Sequence, residues 1–452
     1  MPNFRFKLPS RNWMVFLTLT GSFAGTLIYD RREKRRAQQK WCELVGHLAK
    51  EPLPVEQMRR KVTVYLAAPP GDGIRVARDH FKEYVKPILT AASLDYVVVE
   101  GRREGDVRVG TAEAIRKLRR KAGEPSTVVE EPSVETAVLQ TREHIGVQDE
   151  PGPKGDLVIG RHTWKEYVRG LHEGWLGPLN PPPARVDTSV SEGSEETMKD
   201  IATGDAPPSD SPESPEKKAH SEKEKEPEKP SKPAGPEVAY ITPAEYSSAS
   251  LPPTLPQSFD ASIPVEFPHI LGFLNTPIRM YRYLTQRRLA ENVGREVASL
   301  VLANSARPYR DESFSADSEL TGAGVDPTPS PGNSFSEPLR GNFEQQTALE
   351  HEEKEWHKSI HKKDEGDKER EWLNDIVLDP RIASRMQLAT LSPEDESRSQ
   401  RLAEKTEYIL GEERPPHVPF WKRMWIQYGY GEDEETIRKK PILGNIDGED
   451  GA

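Results

Sequence analysis

Two histidines four residues apart, His357 and His361, are of a type and spacing that could hold a metal ion, because side chains at i and i+4 share a helix face. They stand in EEKEWHKSIHKKDEGDKE, a run so polar that a solvated helix face is the expected role. Asp156 precedes the apolar run LVIG, but no second carboxylate adjoins it there for acid/base work, and a loop cap is expected. Cys42 is the only cysteine, which excludes an internal disulfide, and no Cys/His cluster accompanies it for zinc. The sequence holds no G-x-x-x-x-G-K-[ST] loop, G-x-G-x-x-G fingerprint, G-x-S-x-G elbow or H-E-x-x-H helix. No catalytic, cofactor or metal site is therefore predicted, and the expected work is interaction rather than turnover.

The elements that must carry such work are unevenly distributed. With 41 prolines, 32 glycines and 30% charged residues in 452, about half of the chain is expected to be globular. Residues 1–60 hold 12 Lys/Arg against 5 Asp/Glu, a surplus of 7, so a net charge of −11 leaves the remainder at −18. A basic start suits a membrane surface or an import signal, whereas the acidic body argues against nucleic acid as a partner.

Residues 12–29, NWMVFLTLTGSFAGTLIY, form an apolar run of about 18 residues, roughly 27 Å as a helix, and predict a transmembrane segment. Trp13 and Tyr29 at its ends suit the aromatic belt, and Gly21 and Gly25, four apart, suit close approach of another helix. The run is followed by DRREKRR rather than a small-residue cleavage site, which reads as a retained anchor, and the first 29 positions lack acids as mitochondrial targeting segments do. Charge bias alone places the C-terminal side in the matrix, because five basic residues follow the run and three precede it.

Beyond it, KVTVYLAA, DYVVVEG and LVIG read as strands. A helical pattern follows each: residues 74–92, about 111–121, and TWKEYVRGLHEGWLG. This alternation predicts an α/β domain around a parallel sheet. From Thr276 to Leu302 one long amphipathic helix is expected, capped by Asn275 or Thr276, with Ile278, Tyr281, Leu289, Val293, Val297 and Leu300 on a face and an arginine-rich group of Arg279, Arg282, Arg287 and Arg288. A helix capped by Ser392 opens at SPEDE. Phe420, Trp421, Met424, Trp425 and Tyr428 form a stripe that is either a clasp on the domain or a surface for a partner or lipid headgroups. The organisation is thus a basic N-terminus (1–11), a transmembrane helix (12–29), a basic juxtamembrane segment (30–60), the α/β domain in two parts (61–180 and 238–304) around a disordered insertion (181–237), a disordered linker (305–345) and a C-terminal helical and aromatic segment (346–452).

The blocks DRREKRR, KVTVYLAAPPGDG, GDLVIGRHTWKEYVRGLHEGWLGPL, FPHILGFLNTPIRMYRYLTQRR, DIVLDPRIASRM and KKPILGNID together resemble the fungal 54-kDa Tim subunit family of the mitochondrial carrier translocase, over nearly the whole chain except the two low-complexity stretches. The resemblance implies a non-catalytic subunit of the inner membrane with its N-terminus in the matrix and its body in the intermembrane space. It further implies stabilisation of the complex that inserts multi-spanning carrier proteins, with pore-forming and other subunits, small intermembrane-space chaperones and membrane lipids as partners. This orientation contradicts the charge count; the membrane potential acting on Arg5, Lys7 and Arg11 favours it. Contact residues expected on this reading are Arg279, Arg282, Arg287, Arg288, Phe420, Trp421 and Trp425.

The order of strands and helices is also similar to the nucleotide-binding half of diacylglycerol and acylglycerol kinases. Where those carry a Gly-Gly-Asp-Gly-Thr turn, this chain reads Gly160, Arg161, His162, Thr163, Trp164. The bulky residues are expected to block a phosphate, which implies a degenerate lipid-kinase-like scaffold; the alternatives are an unrelated α/β domain, or a kinase relative that still binds or phosphorylates lipid.

Overall fold

A computed structural model describes residues 10–54, 56–128, 134–150, 154–181, 238–310, 343–357, 360, 370–404 and 419–428. His361, nearly all of the expected insertion and most of the expected linker lie outside the described residues.

The apolar run and the basic stretch after it form one continuous helix, α1 (Arg11–Val45). Its first half is solvent-facing, with Val15, Phe16, Leu19, Ile28 and Tyr29 exposed, whereas Trp41, Leu44 and Val45 in its last turns are fully buried. The expected membrane-crossing helix is not shown by α1 alone: among the described residues no helix is long and apolar enough to cross a membrane. Asn12, Gly21, Gly25, Ser22 and the threonines at 18, 20 and 26 dilute the run.

After a short β1 (Gln57–Met58), the sequence alternates as expected: β2 (Lys61–Ala67), α2 (Ile74–His80), a π-turn (Phe81–Val85), α3 (Lys86–Ala91), β3 (Asp95–Gly101), α4 (Asp106–Lys121), α5 (Val134–Ile145), β4 (Gln148–Asp149), β5 (Gly155–Ile159) and α6 (Arg161–Leu176). The helix expected from about Thr111 begins five residues earlier, after Gly105 in the left-handed region (φ 91°). Chain then returns in β6 (Ala261–Val265), α7 (Thr276–Tyr283), α8 (Gln286–Leu302), β7 (Ala306–Pro308) and β8 (Gln387–Ala389).

Six strands form a sheet in the order β3-β2-β5-β6-β8-β7, parallel throughout except for β7 against β8. The mixed α/β class with a mainly parallel sheet is as expected. One face is covered by α2, α3, α8 and the second half of α1, meeting in a core of Val64, Val85, Ile88, Leu157, Val297 and Val301. On the other, α4 and α6 join Trp164, Val168, Trp175, Ile382 and Met386. A Cβ at Gly170 would fall 2.9 Å from Thr111 Cβ, so this glycine allows α4 and α6 to touch.

The single helix expected over Thr276–Leu302 is two, broken at Leu284 and Thr285. Neither Asn275 nor Thr276 caps α7 with its side chain. The break is stabilised from elsewhere: the buried Asp30 carboxylate accepts from the backbone N–H of Gln286 (3.0 Å) and Arg287 (3.3 Å), giving α8 its own cap. Ser392 does cap the helix Pro393–Ala403, accepting from Asp395 N–H at 3.1 Å.

Candidate functional site

The helices that follow β2 and β3 cover opposite faces, so the crevice between the C-terminal ends of β2 and β5 is the topological switch point at which open parallel sheets commonly bind ligands. Gly160 (φ 87°) turns the chain there, and an added Cβ would meet the His162 ring at 2.8 Å. His162 fills the crevice from one side, its Nε2 lying 3.1 Å from Ala67 O. From above comes Glu352: its carboxylate accepts from Arg161 N–H at 2.8 Å and Phe267 N–H at 2.5 Å. A carboxylate of the chain itself therefore takes the first N–H donor of α6, together with that of Phe267, where a phosphate would need such donors free. Burial pushes the Glu352 acid up to about 7 and the His162 imidazole down to about 4. Arg161 is held as well, donating to Ala348 O (2.7 Å) and Glu353 (3.2 Å), and Trp164 donates to Gln345 O (2.9 Å).

Asp156 lies at the opposite end of β5, where Tyr167 donates to it at 2.7 Å; burial raises its acid to about 6, and Asp260, which sequence adjacency could not reveal, adds to the rise. Among the described residues no cluster of His, Cys, Asp or Glu is suited to a metal ion.

Beneath α6 a buried ionic network ties the layers together. Glu173 binds Arg108 at 2.5 Å and Arg116 at 2.7 Å, and Arg108 also binds Glu371. Glu166 accepts from Val107 N–H (3.0 Å) and Trp372 Nε1 (2.6 Å), and burial, then the charge of Glu371, pushes it up to about 8. Beside the network is a cavity of about 580 Å³ bordered by Lys165, Arg169, Tyr246 and Glu371. Lys165 is committed to Glu353 and the carbonyls of Trp372 and Asn374.

The open surface lies at the other end of the molecule, where α7 stands beside the exposed half of α1. Phe273 and Leu274 before α7 are 88% and 90% exposed, and Ile278, Met280, Tyr281 and Tyr283 are exposed too. Of the arginines expected to make contacts, Arg279 is exposed, while Arg282 holds Glu355 in a bidentate ion pair. Arg287 pairs with Asp30 at 3.4 Å and stands 5.2 Å from the Tyr29 ring centre; Arg288 donates to Tyr281 OH at 3.3 Å. Arg31, which the sequence reading did not single out, joins them by donating to Tyr283 OH at 3.1 Å. Trp13 is exposed, and a Cβ at Gly21 or Gly25 would meet nothing within 4 Å. Phe420, Trp421, Met424 and Trp425 sit on a helix (Phe420–Tyr428) and are exposed, Trp421 by 79%.

The family model for the inner membrane protein import complex subunit Tim54 matches residues 1–389. The mitochondrial import inner membrane translocase subunit tim54 of Aspergillus oryzae is 68% identical over 452 residues, covering 100% of both chains. The corresponding protein of Aspergillus fumigatus is 64% identical over 97% of this chain and 100% of its own length. That of Neurospora crassa is 43% identical over 91% of this chain and 83% of its own.

Proposed function

Because the chain belongs to the Tim54 family of inner membrane import complex subunits, we propose that it is the non-catalytic scaffold of the translocase that inserts multi-spanning carrier proteins. That it is a subunit of the mitochondrial inner membrane import translocase follows from the family itself. The scaffold reading rests on one observation: the crevice where this sheet topology would bind a ligand is filled by Glu352, while the α1–α7 face and the aromatic helix Phe420–Tyr428 remain open.

On this reading the exposed half of α1 enters the bilayer and its glycine face, Gly21 and Gly25, receives a helix of the pore-forming subunit, whose packing compensates for the diluted apolar run. The basic N-terminus lies on the matrix side and the sheet domain in the intermembrane space. The stripe of Phe420, Trp421 and Trp425 docks the small chaperones, because large exposed aromatics gather at such contacts.

Affinity purification of the tagged chain from mitochondria in mild detergent, followed by mass spectrometry, tests this. The pore-forming subunit and small chaperones are expected in constant ratio, with the chaperones lost in Trp421→Ala/Trp425→Ala. Recovery of the chain alone, or only with lipid-metabolic enzymes, overturns the reading. So does phosphate transfer to acylglycerols that disappears in Asp156 and His162 variants. Protease added to mitochondria with ruptured outer membranes checks orientation, since the domain should then be degraded.

A further inference from the structure

Between the exposed half of α1 and α7 runs a groove of about 580 Å³ walled by Leu19, Phe23, Met280 and Leu284. Thr20, Ser22 and Thr26 also line it, but each hydroxyl donates to a carbonyl of its own helix, at 2.7, 2.9 and 2.8 Å, so carbon faces the groove. One end meets a collar in which three arginines each stand against a tyrosine: Arg31 with Tyr283, Arg287 with Tyr29, Arg288 with Tyr281. Residues 272–288 contain four arginines and no acid. Twelve residues separate Leu19 from Arg31, about 18 Å of helix, close to half of a hydrocarbon core of about 30 Å. Leu19 thus stands about one leaflet below the collar, whose tyrosines and arginines are both favoured at the level of the headgroups.

We infer that this groove binds an anionic phospholipid, its acyl chains along Leu19, Phe23 and Met280 and its phosphate among Arg31, Arg287 and Arg288. Charge decides the occupant: the collar at one end carries Arg31, Arg287 and Arg288 against a single carboxylate among the described residues, that of Asp30, which suits a phosphate headgroup above apolar tails. Gly21 and Gly25 lie on the other side of α1, given about 100° per residue, so a partner helix and a lipid need not compete. The inference rests on the proposal above that this face meets the inner membrane, and adds the ligand class and the residues that select it.

The test uses the full purified chain and two readouts. Flotation with vesicles of phosphatidylcholine and phosphatidylglycerol reports membrane contact; native mass spectrometry from mild detergent reports lipid retained by the protein. The wild type is expected to float and to retain phosphatidylglycerol over phosphatidylcholine by at least about fivefold. Arg31→Gln/Arg288→Gln should abolish that preference, and Met280→Trp, which fills the groove from an exposed position, should float but retain neither lipid. Flotation without retained lipid, or retention that Met280→Trp leaves unchanged, overturns the inference while the membrane reading stands. Failure to float overturns both. A photoreactive residue at Met280 should crosslink to phospholipid in mitochondrial membranes; a crosslink to another subunit instead would mark the groove as a protein interface and overturn the lipid.

Discussion

Asp30 and Gln286, 256 residues apart in sequence, meet at 3.0 Å, carboxylate to backbone N–H, where the exposed half of α1 enters the domain. The same arrangement recurs at α4, whose Val107 N–H is taken by Glu166, and at α6, whose Arg161 N–H is taken by Glu352. Helix N-termini carry partial positive charge and unpaired donors, so a distant carboxylate both satisfies them and locks two elements together. Asp30 is the one of these that couples the exposed apolar arm to the body. Asp30→Ala is expected to cost about 2 kcal/mol. Urea unfolding would read that loss, and hydrogen exchange should speed up first at the amides of Gln286 and Arg287. If exchange there is unchanged, Asp30 does not hold the joint.

Further along α1, Trp41 lies against Gly294 of α8 so closely that a Cβ at position 294 would fall inside the indole. Gly294→Ala should destabilise by about 1–3 kcal/mol through overpacking. With Trp41→Leu in the background the alanine should cost less than it does alone. A double-mutant cycle by chemical denaturation measures the coupling, and additive losses would show that the two residues do not press on each other.

Glu173 is nearly inaccessible and holds two buried arginines, Arg108 and Arg116. Glu173→Gln leaves buried positive charge with one carboxylate fewer and should cost about 3–5 kcal/mol. Adding Arg116→Met should recover part of it, because one of the stranded charges goes too. The midpoint of urea unfolding is the readout, and a double variant no better than the single would count against charge as the cause.

The Glu352 acid is raised by burial to about 7, from an ordinary unfolded value of about 4.3. Between those values the folded chain binds more protons than the unfolded one, so stability falls as pH rises through this window and levels off above it. Melting temperature should accordingly fall between about pH 5 and about pH 8, and Glu352→Gln should flatten that slope while lowering stability overall, since its amide accepts from one N–H less well than a carboxylate accepts from two. An equally steep slope in the variant would assign the dependence to other buried acids such as Glu166.

Local pattern alone determined the alternation of β2, β3 and β5 with their helices and the Ser392 cap, because each is written in the spacing of neighbouring residues. The long sequence blocks carried the family, and with it the import translocase. What they could not carry is anything decided by residues far apart. Strands β7 and β8 have three residues each, too few for a period, and β6 contains Pro264, so their places in the sheet, with β7 at its edge, came only with pairing. The stretch after the apolar run read as basic juxtamembrane chain, yet Trp41, Leu44 and Val45 are core, since α8 supplies their apolar surroundings. Within the site, the turn at Gly160 looked obstructed by its own bulk, but the N–H of Arg161 that follows it is also occupied by Glu352, 191 residues away. The collar likewise joins Arg31 to Tyr283 across 252 residues. Sequence spacing specifies which side chains share an element's face; only the packed fold specifies which faces meet, and the carboxylates and aromatic rings that decide this molecule's closed and open surfaces act across those meetings.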